Sequence, residues 1–475
     1  MINYFITIGI EVHTVVSSKS KMFSSSPKSK NPEPNTEINE IDLGLPGTMP
    51  SVNEEVIRKA IVLAKFFDME IDKNIKFDRK NYFYQDLPKG FQITQQFFPI
   101  GKNGYIDINI GKRVQRVEIE RIHLEEDTAK QNKINDNIFL DYNRAGLPLI
   151  EIVTKPTIHS IEEASAFLKA LRQALQFNSI SDGKMEDGSM RADINISIAP
   201  IGSQELGTRV EIKNINSINN VEKAIEFETN RQYKLIISNN KFGNETRRFN
   251  DVNNETEFMR EKVSNVDYRY MTEPNILNIS IDDDFIKESI EMYSIDFKKI
   301  ENNLKKDGLD EVMISHLMNE YSLFKIFNEI NSNCNDSKEV YKWLCIEFLG
   351  QISKKETKVE NIPTIWIENI IELIKKIKTE EINAKQAKEL VKHFIVTNKK
   401  ISELIKELNF VQINDPKIIS DILDKYIKDN QNMISQYEDR SERVEKFFIG
   451  MVMKETNGQA NPNVCLEIFK QKIKK

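Results

Sequence analysis

Five segments in the first half of the chain alternate apolar and polar residues with a period of two. The clearest are ITIGIEVHT at 6–14, MRADINISI at 190–198 and TRVEIKNINS at 208–217. Because successive side chains of a β-strand point to opposite faces, each segment predicts a strand with one apolar and one polar face. Together they predict an antiparallel sheet that buries one face and leaves the other open to ligands.

The remaining two segments are RIHLEED at 121–127, with the alternation that precedes it, and the apolar run at 148–153. Apolar positions before and after Arg121 fall on different registers, which indicates a β-bulge at that point. His123 and Glu125 therefore share a face. The acids of RIHLEED repel one another on a partly buried surface unless they are protonated or meet a cation, and a divalent metal ion is one such cation.

The polar faces of these strands carry an unusual set of ionisable side chains. Any one such face is best explained by solvation, but five together indicate an ionic surface. Carboxylates with histidine suit a metal ion, while Arg and Lys suit phosphate. Glu151 is a lone acid within its apolar run, and an isolated buried carboxylate needs a partner. The other members of the set are Glu11, His13, His123, Glu125, Arg191, Asp193, Arg209, Glu211 and Lys213.

Metal ligands beside phosphate-binding cations suggest phosphoryl transfer from a nucleotide, which depends on charge neutralisation more than on covalent catalysis. The sequence contains neither a GxxxxGK[ST] loop nor a GxGxxG fingerprint, so the sheet itself is expected to hold the nucleotide. The first half also contains no cysteine and no GxSxG elbow that could supply an acyl nucleophile.

The length of 475 residues predicts two or three domains, and 39% hydrophobic with 29% charged residues is typical of a globular protein. A net charge of −6 argues against a chain that coats nucleic acid, although a local basic surface is compatible with it. No apolar run reaches the roughly 18 residues of a membrane span. We expect a cytoplasmic protein with no membrane or DNA partner, whose cysteines at 334, 345 and 465 are buried reduced thiols.

Helical periodicity replaces alternation after about residue 293. In DPKIISDILDKYIKDN, Asp415 can cap a helix and Pro416 suits its first turn. Asn383, followed three residues later by Gln386, predicts a capping box. The helix that begins after Asp415 should bury one apolar stripe, formed by Ile418, Ile419, Ile422, Leu423, Tyr426 and Ile427.

Long motifs, in order along nearly the whole chain, resemble the signatures of the family of B subunits of aspartyl/glutamyl-tRNA(Asn/Gln) amidotransferase. An archaeal-type E subunit shares the N-terminal signatures but usually carries an inserted domain that this length does not accommodate. The motifs are GIEVH, LGLPGTMPSVN, RKNYFYQDLPKGFQITQ, RIHLEEDTAK, DYNRAGLPLIEIVTKP, EDGSMRADINIS, GTRVEIKNINS, DYRYMTEPN and FFIGMVMKETNGQANPNV.

This resemblance implies an α+β fold. Residues 1–292 would form a catalytic cradle domain, built on an antiparallel sheet similar to that of glutamine synthetases and guanido kinases. Residues 293–400 would form a helical domain, and residues 401–475 a helical tail domain that binds tRNA. Many relatives carry a Cys-x-x-Cys knuckle in the first long loop, where this chain has Ser24 to Ser26, so we expect no structural zinc there.

The activity implied is ATP-dependent ligation. ATP and Mg²⁺ would convert the side-chain carboxylate of misacylated Glu-tRNA(Gln) or Asp-tRNA(Asn) to an acyl phosphate, and ammonia would then displace phosphate to form the amide. Ammonia would come from glutamine through the A subunit, an amidase, in a heterotrimer completed by the small C subunit. A second metal site could hold Mn²⁺ or Zn²⁺, which mixed His/Glu ligation also suits.

Residue by residue, the resemblance assigns Lys89 to the mouth of an ammonia channel. Glu125, Asp193 and Arg191 are the expected catalytic residues, and Arg144 is expected to bind the cofactor. From their faces, we assign Arg191, Arg209 and Lys213 to phosphate. The metal ligands that the resemblance implies are Glu11, His13, Glu125, Glu126, Glu151 and Asp193.

Two other functions remain open from the sequence. The chain could be a non-catalytic tRNA-binding scaffold whose acidic sheet holds a structural cation. It could also be a small-molecule ligase akin to glutamine synthetase, although the helical tail argues against this.

Overall fold

The computed structural model describes residues 4–29, 32–261, 267–353, 357–408, 410, 413, 415–456 and 459–473. It divides into two compact units, Met1–Asp296 and Phe297–Lys475. The first unit is built around a large sheet and the second is helical, as the change of periodicity indicates. The boundaries expected at residues 292 and 400 stay predictions.

The first unit contains the strands of the structure and four helices, α1 (Glu54–Phe66), α2 (Ile161–Phe177), α3 (Ile218–Ile237) and α4 (Asp283–Tyr293). The strands are β1 (Tyr4–Val15), β2 (Glu70–Ile71), β3 (Asn74–Ile75), β4 (Asp78–Asn81), β5 (Phe91–Thr94), β6 (Gly101–Ile110), β7 (Arg113–Glu126), β8 (Lys130–Ile134), β9 (Asn137–Asp141), β10 (Pro148–Thr154), β11 (Met190–Pro200), β12 (Val210–Ile215), β13 (Glu245–Asn250), β14 (Glu255–Glu261), β15 (Met271–Thr272) and β16 (Ile279–Ser280).

Nine strands form one sheet in the order β14-β13-β12-β11-β1-β10-β7-β6-β2, so β1 lies at its centre. The five strands predicted from alternation are all present, and neighbours among them pair antiparallel. The antiparallel pairing does not extend through the whole sheet, because β12 and β13, a strand outside the predicted five, pair parallel. Helix α3 carries the chain between these two strands, and a parallel pair needs such a crossover.

Helices α1, α2 and α3 pack against the apolar face of this sheet. Each begins at a side-chain cap, since Asn53, Ser160 and Ser217 accept backbone N–H groups of the first turn. Ile8 and Ile10 of β1 are fully buried on that face, while Gly9, Glu11 and His13 on the other face are partly accessible. The helices therefore leave the opposite, polar face of the sheet available.

The bulge predicted at Arg121 is confirmed. Where β10 pairs with β7, Val153 lies opposite Arg121 but Thr154 lies opposite Ile119, so Glu120 is the extra residue. Apolar side chains lie on the core face both before and after Glu120. The extra residue therefore explains why the apolar positions in the sequence change register at this point.

A small sheet in the order β15-β4-β5 lies next to the end of β7. The bidentate ion pair between Arg79 and Glu273, with nitrogen–oxygen distances of 2.6 and 3.0 Å, fixes the segment that contains β15 against β4. In the loop that joins β4 to β5, Phe83 is 81% exposed, so this aromatic residue does not pack on the core.

The serines of the first long loop bond to a carboxylate. Ser24 and Ser26 donate to the two oxygens of Asp42 at 2.7 and 2.5 Å, and Lys21 Nζ lies 3.3 Å from the same group. All four residues are buried. Hydrogen bonds and one ion pair therefore hold this part of the loop.

The second unit confirms the predicted caps, since Asp415 and the Asn383/Gln386 capping box both begin helices. The apolar stripe predicted for the helix that Asp415 caps is only partly right, because Ile418 is 46% exposed. Cys334 and Cys465 are buried, Cys345 is half-buried, and all three are free thiols. The helices are α5 (Phe297–Lys306), α6 (Glu311–Asn319), α7 (Tyr321–Cys334), α8 (Ser337–Tyr341), a π-helical turn (Lys342–Phe348), α9 (Leu349–Ile352), a 3₁₀ turn (Val359–Asn361), α10 (Thr364–Lys378), α11 (Ala384–Thr397), α12 (Ile401–Glu407), α13 (Pro416–Asp429), α14 (Gln431–Ile434), α15 (Tyr437–Glu455) and α16 (Pro462–Ile473).

Among the described residues, no helix has both the length and the apolar character that crossing a bilayer requires.

We expect Gly104→Ala to destabilise the first unit by about 1–3 kcal/mol, because a Cβ there would overlap the Met69 side chain and the Phe67 carbonyl oxygen. Gly243→Ala is the matched control, since its Cβ meets nothing within 4 Å. Thermal unfolding of the three proteins measures the difference. Equal unfolding temperatures for both variants would contradict the packing described here.

Candidate functional site

The pairing of four adjacent strands places ionisable residues in one continuous row. Arg191 on β11 lies opposite His13 on β1, His13 lies opposite Glu151 on β10, and Glu151 lies opposite His123 on β7. These residues are far apart in the sequence, and backbone hydrogen bonding alone brings them side by side. Glu125, two residues beyond His123, joins the row from the same face of β7.

The first cluster consists of His13, Glu125 and Glu151, whose ligand atoms all lie within 4.8 Å of one another. His13 Nε2 is 3.5 Å from Glu125 Oε1 and 3.2 Å from Glu151 Oε2. His123 Nε2 lies 3.1 Å from Glu151 Oε2. One imidazole and two carboxylates at these separations are a suitable ligand set for a divalent transition metal.

Burial and mutual charge govern protonation in this cluster. Burial raises the pKa of Glu125, and the neighbouring Glu151 charge raises it further. Burial would also raise the pKa of Glu151, but His123 and His13 outweigh it and hold that pKa well below its usual range. Burial lowers the pKa of His13, yet its hydrogen bond to Glu151 and the nearby carboxylates raise it overall to about 9. Without a metal ion, a protonated His13 therefore balances the acids.

The second cluster consists of Glu11, Asp193 and Glu211, again with ligand atoms within 4.8 Å of one another. Burial, followed by the charges of Glu151 and Asp193, raises the pKa of Glu11. Lys213 Nζ lies 2.5 Å from Asp193 Oδ2 and 3.3 Å from Glu211 Oε1. Three carboxylates form an all-oxygen ligand set, which suits Mg²⁺.

Glu211 was not predicted as a ligand, although alternation had placed it on the correct face. The strand register brings Glu211 near Glu11, because Asn195 of β11 pairs with Glu211 of β12 on one side and with Gly9 of β1 on the other. Asn195 in turn donates to Glu11 Oε1 at 3.1 Å. Predicting that Glu211 lies near Glu11 requires the order of the strands in the sheet, which the alternation of residues in a single sequence does not give.

Two buried polar atoms beside the clusters support their fit to cations. His123 Nδ1 and Asn195 Oδ1 have no hydrogen-bond partner within the described part of the chain. Buried polar atoms are normally satisfied, and exceptions mark positions where an ion, a water molecule or a ligand belongs.

The structure does not bring Glu126 into either cluster. Because side chains alternate along β7, Glu126 points away from Glu125 and towards β5, where it accepts the backbone N–H of Ile93 at 2.9 Å. Its carboxylate also forms an ion pair with Lys89 Nζ. Lys89 lines a cavity of about 190 Å³, together with Gly44, Leu45, Arg79, Phe91 and Glu273.

A cavity of about 320 Å³ opens beside both clusters, and cations line it. Arg191 is one of these cations, and its Nη2 lies 3.2 Å from Asp127 Oδ2. Arg144 is not among the lining residues, but its Nε lies 3.1 Å from the same oxygen. Lys80, which was not predicted as a site residue, also lines the cavity, and its Nζ lies 4.8 Å from the Tyr268 ring centroid. Among the lining residues are His13, Lys80, Glu125, Asp127, Arg191, Asp193 and Lys213.

Arg209 lies elsewhere. It lines a separate hollow of about 260 Å³ with Glu11, Glu120 and Asn195, and its side chain is exposed. The expected phosphate-binding residues thus lie in two places, with Arg191 and Lys213 in one cavity and Arg209 in the other.

Comparison with known proteins identifies the family of the chain. Residues 6–287 match the family described as the GatB/GatE catalytic domain, and residues 325–473 match the GatB domain. A protein of Malacoplasma penetrans strain HF-2, named as the B subunit of aspartyl/glutamyl-tRNA(Asn/Gln) amidotransferase, is 58% identical to this chain over 99% of this chain and 98% of its own length. A protein of the same name from Ureaplasma urealyticum serovar 10 is 47% identical over the full length of both chains. The relative of that name from Mycoplasma genitalium is 45% identical over 97% of this chain and 96% of its own. The chain belongs to the family of B subunits of aspartyl/glutamyl-tRNA(Asn/Gln) amidotransferase.

Proposed function

We propose that this chain uses ATP at the two carboxylate clusters to phosphorylate the side-chain carboxylate of misacylated Glu-tRNA(Gln), Asp-tRNA(Asn) or both, and then amidates it. Membership of the family makes the chain a component of a tRNA-dependent amidotransferase, a glutamine-dependent carbon–nitrogen ligase in protein biosynthesis. The single observation that supports the proposed chemistry best is the convergence of acids from β1, β7, β10, β11 and β12 beside a cavity lined by cations.

The reaction has two steps. The substrate carboxylate oxygen attacks the γ-phosphorus of ATP, the bond to the bridging oxygen breaks, and ADP leaves. Ammonia then attacks the acyl carbon, phosphate leaves, and loss of a proton gives the amide. Both steps move negative charge, so fixed cations and metal ligands are the groups that lower the barriers.

Each of the two clusters would bind one divalent metal ion. His13, Glu125 and Glu151 would hold one ion, for which Mn²⁺ and Zn²⁺ are as suitable as Mg²⁺. Glu11, Asp193 and Glu211 would hold Mg²⁺. When bound, such ions neutralise phosphate oxygens and polarise the phosphoryl group. The chain's own residues orient these ligands through strand pairing, and Asn195 and His123 support them from behind.

Arg191, Arg144 and Lys213 would bind phosphate from the cavity side, and Arg209 from the neighbouring hollow. Asp127 pairs with both Arg191 and Arg144, and the side chain of each arginine is partly exposed. Arginine forms paired hydrogen bonds with phosphate oxygens, which makes it well suited to position a transferred group.

Lys89 would stand at the mouth of an ammonia channel, with Glu126 as its partner. Lys89 lines the cavity of about 190 Å³, whereas Glu125, the chain neighbour of Glu126, lines the cavity of about 320 Å³ beside the clusters. The A subunit, an amidase, would release ammonia from glutamine, and the small C subunit would complete the heterotrimer. The helical half would comprise a helical domain at 293–400 and a tail domain at 401–475, and the tail domain would bind tRNA. The sheet would belong to the glutamine synthetase and guanido kinase type of cradle.

We expect Asp193→Asn and Glu125→Gln to lower tRNA-stimulated phosphate release from ATP by about 100-fold or more, because each removes a charge that holds the cations of the transferred phosphoryl group. Binding of misacylated tRNA by the assembled complex should change little. Asp107→Asn is the matched control, since Asp107 pairs with Arg116 at an exposed edge of the same sheet.

Full turnover in both cluster variants would favour the scaffold function, in which the acids hold only a structural cation. Turnover of free glutamate without tRNA would instead favour a small-molecule ligase.

Lys89→Met should reduce amidation driven by glutamine about ten-fold while sparing amidation driven by added ammonium chloride, because external ammonia does not pass the channel mouth. Lys112→Met, in the exposed turn between β6 and β7, is the control. The ratio of the two rates in the assembled complex is the measurement. An equal loss with both nitrogen sources would exclude a channel role for Lys89.

A further inference from the structure

The ammonium group of Lys213 lies close to where an ion bound by the second cluster would lie. Its Nζ is 2.5 Å from Asp193 Oδ2 and 3.3 Å from Glu211 Oε1. Both acids belong to the cluster, together with Glu11. Magnesium approaches carboxylate oxygens to about 2.0–2.1 Å, so an ion on Asp193 Oδ2 would come within about 4.6 Å of this Nζ.

The ammonium group and a divalent ion at this distance repel each other. The Lys213 side chain is 32% exposed, that of Asp193 is 20% exposed and that of Glu211 is 9% exposed, so water screens the repulsion only in part. Because both cations satisfy the same oxygens, they are alternative occupants of the cluster. The lysine neutralises the acids whenever no metal ion does so.

The backbone of β12 delivers this lysine into the cavity. Pairing of β11 with β12 shifts between Ala192 and Ile194, where β12 contains one residue more than β11. Asn214, within this bulge, has a φ of 62° in the left-handed region. A bulge redirects side chains, and Lys213 and Asn214 both line the cavity of about 320 Å³. Four flexible methylene groups let Nζ move between the acids and the cavity without backbone change.

We propose that Lys213 is an exchangeable counter-ion, which neutralises the Glu11/Asp193/Glu211 cluster until a divalent ion arrives with a polyphosphate and then turns to the phosphate. The inference rests on the proposed function, because it assumes that this cluster takes a metal ion with a nucleotide. A metal ion alone must displace the ammonium without offering it a new partner. The nucleotide supplies that partner, so metal and nucleotide bind with positive coupling.

Lys213→Met tests the exchange, since methionine keeps an unbranched stem and removes the charge. Mn²⁺ is titrated calorimetrically into the full-length chain with and without ADP, and the cluster's binding event is identified as the one that Glu211→Gln abolishes. We expect Mn²⁺ alone to bind Lys213→Met about ten-fold more tightly than the unsubstituted chain, and the gain from ADP to fall by a similar factor. Lys213→Arg keeps the charge and should show neither change.

Lys223→Met is the matched control, since Lys223 lies on α3 and bonds the exposed Asn254. Equal or weaker Mn²⁺ binding in Lys213→Met, with the event still lost in Glu211→Gln, would overturn the exchange and leave the metal site intact. Unchanged Mn²⁺ binding in Glu211→Gln would place the ion elsewhere. That result would overturn the exchange together with this part of the proposed function.

Discussion

Backbone pairing of β1 with β10 on one side and β11 on the other determines which side chains meet. It sets His13 between Glu151 and Arg191, and Glu11 beside Asp193. A slip of one residue would turn every side chain of β1 to the other face, removing both clusters and exposing the core at once. The apolar residues that α1, α2 and α3 cover therefore specify the register, and the ionisable residues on the opposite face depend on it.

The polar face of the sheet carries many carboxylates, and without nearby cations their mutual repulsion would oppose folding. Protonated His13 balances the first cluster, Lys213 balances the second, and Arg191 with Arg144 balances Asp127. These are the same groups that would meet metal ions and phosphate during turnover. Internal cations thus offset the repulsion among these acids, which lets the carboxylates lie close together on one face of the sheet.

Local features of the sequence predicted local structure well. Alternation identified the five strands and the bulge near Arg121, because both follow from the two-residue period of a strand. Pairing between distant strands could not be predicted this way, so Glu211 was not predicted to join Glu11 and Asp193, while Glu126, assigned by resemblance, lies with Lys89 instead. The exposure of Ile418 and the parallel pairing of β13 likewise depend on tertiary packing, which periodicity does not encode.

Anomalous diffraction from crystals of the assembled enzyme grown with Mn²⁺ and ADP would show whether the two carboxylate clusters bind metal ions beside a nucleotide. We expect ions bounded by His13, Glu125 and Glu151 in one site and by Glu11, Asp193 and Glu211 in the other, with nucleotide phosphates in the cavity between the ions and Arg191. Manganese peaks remote from both sets of side chains, or nucleotide density on another surface, would contradict this expectation.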